Sequence, residues 1–453
     1  MKKIEDLKYM TQTWGCQMNE RDTEMIQCML EDMGMKEVDN VDEADLVVLI
    51  TCCVREKAEH KVYARLGELS KIKRSKSDLI IAVGGCMTQQ EEVGERIKKR
   101  FSGVDIIFGT HNIDRIPELI KRALLKKERV LEVWEKEKGI PEERNIYKKR
   151  KNFLKSKVII SYGCNNFCSY CIVPFVRGRE RSRKPEAIIS EIEYLAENGC
   201  VEVMLLGQNV NSYGKDFREQ FDFSDLLRRV VEIKGIERIR FMTSHPKDFS
   251  NKLIKTIADF KKICNHIHLP VQAGSNKILK NMNRVYTQEE YLSLVSKIKT
   301  HIPGVSITTD IIVGFPGETR EDFHQTLKVV KEVEFDNAYM FIYSPRQGTL
   351  AAEKYEDNIP LEEKKERLQE LMELQNKISL KINKKLLGKN IEVLIDSVEE
   401  KDGKKVYSGR TETNKIVNIQ GNDFGGELYG TFQNVEIISA QTWSLGGKLS
   451  GSG

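Results

Sequence analysis

The sequence predicts a multidomain α/β chain: an amino-terminal parallel α/β sheet domain, a central partial (β/α)6 barrel, and a small carboxyl-terminal antiparallel β-barrel, OB-like in plan. Three observations predict it. Short β-branched runs alternate with helical stretches up to residue 125, six more strand–helix repeats follow from residue 157, and beyond Gly388 the pattern becomes period-two alternation. At 453 residues the chain exceeds what one hydrophobic core holds. The domains are placed at 6–125, 150–380 and 383–446, with a linker at 126–149 and a Gly/Ser-containing tail at 447–453 left outside the fold.

In the first domain the apolar runs are 9–13, 46–51, 79–83 and 106–108, separated by helix-compatible segments, as in parallel strands joined by crossovers. From Lys121 to Lys157 the pattern weakens into a charged connector that ends in a basic block, Lys148, Lys149, Arg150, Lys151, Lys155 and Lys157, which reads first as a solvated linker and second as an RNA contact. The central strands are expected at 158–161, 203–206, 239–242, 266–271, 307–313 and 338–343, with helices at 185–197 and 320–333 among those between them. A helix without Gly or Pro, 361–387, closes that region. Alternation in Ile391-Glu392-Val393-Leu394-Ile395, Lys405-Val406-Tyr407 and Val435-Glu436-Ile437-Ile438, with turns at Asp402-Gly403 and Gly425-Gly426, marks the last barrel.

Composition narrows the function classes. With 40% hydrophobic and 31% charged residues, 10 prolines and 31 glycines, the chain is neither disordered nor fibrous. No run approaches the roughly 20 apolar residues of a membrane span, and Met1-Lys2-Lys3-Ile4-Glu5-Asp6 has no signal-peptide core, so a cytoplasmic protein without a membrane partner is expected. A reducing compartment makes the 10 cysteines candidate metal ligands rather than disulfides. The net charge of +5 is too small for a uniformly basic nucleic-acid binder.

Cys164, Cys168 and Cys171, spaced C-x3-C-x2-C, follow a strand directly. Three thiolates can ligate three irons of a four-iron cube and leave the fourth open, and an open iron at a barrel mouth can be chelated by S-adenosylmethionine (SAM). A zinc knuckle competes but needs a fourth ligand, and no nearby His or Cys supplies one. Cys16, Cys52 and Cys86 each follow an apolar run and lie 36 and 34 residues apart, one β/α unit each, which brings them to one carboxyl edge of a parallel sheet. They form a second candidate trio for an auxiliary cluster, against the alternative of buried core cysteines. Adjacent Cys53 cannot easily point the same way as Cys52, and Cys28, Cys200 and Cys264 read as core residues.

These motifs, with Gly15-Cys16-Gln17-Met18-Asn19, Thr51-Cys52-Cys53-Val54-Arg55-Glu56, Gly84-Gly85-Cys86 and Gly178-Arg179-Glu180-Arg181-Ser182-Arg183, resemble the radical SAM methylthiotransferases over nearly the whole chain, and within them the tRNA-2-methylthio-N6-dimethylallyladenosine synthases. The resemblance implies two 4Fe-4S clusters, two SAM molecules, and a 5′-deoxyadenosyl radical that abstracts hydrogen from adenine carbon 2. It implies that the Cys16, Cys52 and Cys86 cluster holds the sulfur, and that tRNA is engaged through its anticodon stem-loop. A reductant such as flavodoxin or ferredoxin and an unidentified sulfur donor follow as partners. It also implies SAM contacts at Gln208, Asn209, Gln272, Ser275, Asp310, Gly314 and Glu318, and makes the terminal barrel a TRAM-like RNA-binding module with Lys404, Lys405, Arg410 and Lys415. Any one SAM position could instead be a plain strand-to-helix turn. Arg177, Arg179, Arg181 and Arg183, on alternate positions, are expected to face substrate from one side of an extended segment. Two departures stand out: Cys53 where relatives carry a small non-thiol residue, and Gln347 where Pro is usual. The alternatives are thiolation of threonylcarbamoyladenosine or of a ribosomal protein, and, from another class, a non-catalytic RNA binder with structural metal.

Overall fold

The computed structural model describes residues 3–53, 56–137, 139, 153–401, 404–419 and 427–450. The amino-terminal sheet holds β1 (Lys8–Trp14), β2 (Lys36–Glu37), β3 (Leu46–Thr51), β4 (Ile80–Gly85), β5 (Ile106–Phe108) and β6 (Val130–Glu132). All pairs are parallel, in the order β2-β1-β3-β4-β5-β6. Every residue of β3 and β4 is buried, because helices cover both faces of the sheet. The sheet runs past the expected boundary at 125, since β6 lies inside the segment read as linker. β2 (Lys36–Glu37) and β6 (Val130–Glu132) are short and include charged residues, so they lack the wholly apolar run that makes the equally short β5 legible.

The central region contributes β7 (Lys155–Ile159), β8 (Ser161–Tyr162), β9 (Arg181–Ser182), β10 (Glu202–Leu206), β11 (Arg238–Phe241), β12 (His266–His268), β13 (Ser306–Val313) and β14 (Asn337–Ile342). Its two parallel sheets, β11-β10-β7 and β12-β13-β14, meet through a parallel bridge from Ile239 to Ile263, so six strands make the expected open barrel. The helices Pro185–Glu197 and Arg320–Val333 lie where their periodicity puts them. β12 is shorter than expected, since Pro270 has no N–H to extend the ladder. The closing helix, Leu361–Lys384, crosses both domain boundaries drawn at 380 and 383.

The last domain is a closed barrel of β15 (Asn390–Lys401), β16 (Lys404–Thr411), β17 (Ile416–Ile419), β18 (Phe432–Ala440) and β19 (Ser444–Leu449). It is not wholly antiparallel: β17 and β19 pair in parallel and close it. Residues 447–449, assigned to a tail, are therefore part of the fold. Gly447 sits where a Cβ would strike Val435, so the glycine that suggested a linker is a close-packing residue. The turns at Asp402-Gly403 and Gly425-Gly426, the tail residues 451–453 and basic residues Lys148, Lys149, Arg150 and Lys151 lie outside the described residues. Among the described residues no helix is long and apolar enough to cross a membrane.

Buried charge fixes the domains to one another. Arg238 and Arg240 on β11 donate to the carbonyls of Arg410, Glu392, Glu412 and Thr411 of the terminal barrel. Lys155 pairs with Asp396, and Lys415 with Asp336. Lys155 and Arg238 open their strands and Asp336 precedes β14, so the terminal barrel is held beneath the floor, at the end opposite the strand-following loops. On the other side Arg21, from the helix Gln17–Asp32, reaches Glu191 at 3.4 Å, and Arg183 reaches the same carboxylate at 2.8 Å. Lys157 pairs with Glu20, and Arg346 with Glu59 at 3.0 Å, both across the interface between the first two domains.

Candidate active site

Cys16 follows β1 and occupies the N-cap of the helix Gln17–Asp32, Cys52 and Cys53 follow β3, and Cys86 follows β4, so all stand at one edge of the sheet. Asn19 links two of them. Its Oδ1 accepts from the Cys16 thiol at 3.4 Å, while its Nδ2 donates to the Thr51 carbonyl at 3.3 Å and approaches Cys86 Sγ at 3.9 Å. Cys86 also accepts from Arg177 Nε at 3.2 Å, and the same guanidinium grips Asp22 through Nη2–Oδ2 at 2.6 Å and Nη1–Oδ1 at 3.2 Å. A hydrogen bond from Cys53 and the Arg177 charge, acting against burial, bring the Cys86 thiol down to about 6. A thiol held toward thiolate suits a metal ligand. Cys53 is fully buried in the same apolar cluster as Cys86, whereas Cys52 lies outside that cluster.

The second trio sits on the loop after β8. Cys164 and Cys168 are buried and Cys171 half-buried, and burial raises Cys164 to about 11 and Cys171 to about 12, so metal binding there displaces protons. Arg284 Nη1 donates to Cys168 Sγ at 3.4 Å; the rest of its fork meets the Pro270 carbonyl and Tyr286 Oη, each at 2.9 Å. The loop turns on Gly163, whose φ is +70° and whose absent Cβ makes room for the Arg179 carbonyl. Gly163→Ala is expected to cost about 1–3 kcal/mol and to lower iron uptake at this trio alone, read by urea unfolding and by iron content after anaerobic reconstitution. Among the described residues no three His, Cys, Asp or Glu side chains converge on a point as ligands of a single ion do.

The two trios lie close together. The helix Val173–Val176 begins two residues after Cys171, and Ile172 and Val176 pack in the same cluster as Cys53 and Cys86. Arg177, six residues beyond Cys171, is the residue touching Cys86. Six residues span at most about 20 Å, which bounds the distance from the Cys171 backbone to that of Arg177.

The arginines do not share one face as expected. Arg177 and Arg183 are buried, the first on Asp22 and Cys86, the second on Glu191 and the Ile159 carbonyl. Arg181 donates to the Gly139 and Arg177 carbonyls, and Arg179 is exposed with its guanidinium over the Phe167 ring at 4.3 Å. The helical turn Val173–Val176 and the short β9 replace the extended segment that alternation presupposed.

The seven SAM candidates divide similarly. Ser275 caps the helix Asn276–Asn281 and donates to Asp322 at 2.6 Å. Glu318 accepts from the Gly314 amide and from Arg367, both at 2.7 Å, so Gly314 and Glu318 shape the turn after β13. Gln208 and Gln272 make no side-chain hydrogen bond among the described residues. Asn209 donates to Asp248 while its buried Oδ1 has no partner, and Asp310 is half-buried beside His268 at 3.5 Å. The sequence alone does not mark Arg284, Asp22, Arg21 or Glu191. Arg284 lies 116 residues from its cysteine, and no local pattern signals such a contact.

Residues 158–330 match the Radical SAM superfamily, and residues 8–109 match the Uncharacterized protein family UPF0004. A cobalamin-containing radical SAM methyltransferase, TsrM from Kitasatospora setae, shares the fold with a TM-score of 0.54 at 15% identity, over 77% of this chain and 74% of that one. OxsB, a cobalamin-dependent SAM radical enzyme, gives 0.51 at 14% identity, over 83% and 57%. Fold and matched regions thus define a radical SAM enzyme carrying a second, amino-terminal domain. Sequence relatives are far closer. The tRNA-2-methylthio-N(6)-dimethylallyladenosine synthase of Acetivibrio thermocellus is 54% identical over 97% of this chain and 90% of its own. The enzymes of the same name from Desulforamulus reducens and Clostridium tetani are 52% and 51% identical over 98% and 97% of this chain, and 96% of each relative. The chain belongs to the tRNA-2-methylthio-N(6)-dimethylallyladenosine synthase family.

Proposed function

We propose that this chain methylthiolates carbon 2 of N6-isopentenyladenosine at position 37 of tRNA, beside the anticodon, consuming two SAM molecules. The observation that carries the reading is the packing of Ile172 and Val176, which directly follow the Cys164–Cys171 loop, in one apolar cluster with Cys86, together with the Cys86–Arg177–Asp22 contact. An aromatic C–H bond resists acid–base chemistry at neutral pH, so a radical must break it next to the sulfur that replaces the hydrogen. When bound, the barrel cluster with SAM supplies that radical, and the auxiliary cluster supplies the sulfur site.

The protein's part is geometry. Cys164, Cys168 and Cys171 are the ligands at the barrel mouth, and Cys16, Cys52 and Cys86 those at the sheet edge. Gln208, Asn209, Gln272 and Asp310, with hydrogen-bonding atoms to spare, offer contacts to SAM, while Ser275, Gly314 and Glu318 shape the turns around it. Arg179 and Arg181 offer the RNA contacts near the mouth; Arg177 and Arg183 act from the interior. The terminal barrel grips the anticodon stem, although Lys405 and Lys415 are ion-paired with Glu427 and Asp336 and Arg410 is bonded to Asn414; the side chain of Lys404 lies outside the described residues. Electrons come from a flavodoxin- or ferredoxin-like reductant and sulfur from a donor outside the chain, in the cytoplasm where tRNA resides.

Nucleoside mass spectrometry of tRNA from a deletion strain tests this. The expected result is loss of the 2-methylthio group with the isopentenyl group retained. Unaltered nucleosides beside a changed ribosomal-protein mass, or loss of the methylthio group from threonylcarbamoyladenosine only, would overturn it.

A further inference from the structure

We propose that buried guanidinium charge sets the two clusters apart in reduction potential: Arg284 acts on the barrel cluster uncompensated, whereas the Arg177 charge reaches the auxiliary cluster partly offset by Asp22. The inference rests on reading each trio as the holder of a four-iron cluster. Both arginines are buried, and their contacts to sulfur are alike, 3.4 Å to Cys168 and 3.2 Å to Cys86. Distance to sulfur therefore does not separate them. Their other partners do.

Arg284 bonds only neutral groups besides the thiol, the Pro270 carbonyl and the Tyr286 hydroxyl, and no carboxylate pairs with it among the described residues. Arg177 turns both terminal nitrogens to Asp22, itself buried, and presents only Nε to Cys86. Other charges do not reverse this contrast. Glu180 and Lys247, of opposite sign, both act on Cys164, while Glu59 adds negative charge near Cys53 at the auxiliary site.

A cluster held by three thiolates is anionic and gains one more negative charge when one electron arrives. A nearby unbalanced cation favours that reduced state, and a cation cancelled by a carboxylate does so far less. The electron from the external reductant then resides on the barrel cluster, where it cleaves SAM, rather than on the cluster holding sulfur. Arg284 and Asp22 are thus positioning residues acting through charge.

An EPR-monitored redox titration of the full-length protein, reconstituted with both clusters and reduced with dithionite without SAM, tests the idea, its signals assigned from Cys164→Ala and Cys86→Ala chains. The barrel cluster is expected to reduce at the higher potential. Arg284→Met should lower its reduced-to-oxidised ratio at fixed potential by about tenfold, or about 59 mV for one electron, leaving the auxiliary signal in place. Arg284→Lys should restore most of the loss. Asp22→Asn should raise the auxiliary ratio by a similar factor, an independent reading should Arg284→Met fail to hold its cluster. Fully loaded Arg284→Met and Asp22→Asn chains that titrate like the parent would overturn the charge argument. A parent chain holding one cluster would instead overturn the two-cluster reading beneath it.

Discussion

A Cys168→Ala chain is expected to lose SAM cleavage and thiolation together, and a Cys86→Ala chain to lose thiolation while still cleaving SAM. The asymmetry follows from where each thiol sits. Cys168 belongs to the loop after β8, at the barrel mouth beside Arg284, and without it the remaining pair cannot hold a cube whose open iron binds SAM. Cys86 belongs to the sheet edge and is tied to Arg177 and Asn19, with no part in the barrel loop. The check is two measurements on each variant under dithionite: 5′-deoxyadenosine by chromatography, and the methylthio nucleoside by mass spectrometry. Both products fall to background for Cys168→Ala; only the nucleoside does for Cys86→Ala. Thiolation surviving in Cys86→Ala would remove the auxiliary site from the chemistry.

Glu191→Ala is expected to destabilise the chain by about 3–5 kcal/mol. This carboxylate is wholly buried between Arg21 of the first domain and Arg183 of the barrel, so its removal leaves Arg183 with the Ile159 carbonyl in place of a counter-charge and Arg21 with the half-buried Glu24 alone. Buried charge that loses its buried counter-charge costs more than a lost surface pair, whose value is about 0–1 kcal/mol. Urea unfolding reads the change, and a shift below about 1 kcal/mol would mean that water reaches both arginines. Because Arg21 and Asp22 are neighbours on one helix, the variant should also loosen the Arg177 contact and lower iron retention at the auxiliary site.

Much of this architecture is legible in the residues themselves. β3 spans the expected run, and the helices Pro185–Glu197 and Arg320–Val333 match residue for residue, because each carries a strong period and a definite start: Pro at N1 in one, the Thr319 and Asp322 capping box in the other. The meeting of Cys16, Cys52 and Cys86 at one sheet edge is legible because spacings of one β/α unit carry the chain from one parallel strand end to the next. Contacts between domains are not. Arg177 and Arg183 read as one stripe with Arg179 and Arg181, yet a helical turn and partners 155 and 8 residues away send them inward. The roles of Ser275 and Glu318 within the fold are hidden for a related reason: a polar residue after a barrel strand reads the same whether it caps a helix, shapes a turn or faces a ligand, and only its neighbours show the first two. The end of β19, residues 447–449, reads as tail because Gly-Gly resembles a linker until the opposing strand shows why a side chain cannot fit at Gly447.

Iron content after anaerobic reconstitution bears most directly on the paired sites when taken on the parent chain and on two variants, one with Cys164, Cys168 and Cys171 and one with Cys16, Cys52 and Cys86 all replaced by Ala. About eight irons per parent chain and about four in each variant, with a distinct EPR signal for each survivor, is the result this account predicts. Four irons in the parent, or a Cys16, Cys52 and Cys86 variant that still takes up eight, would contradict it.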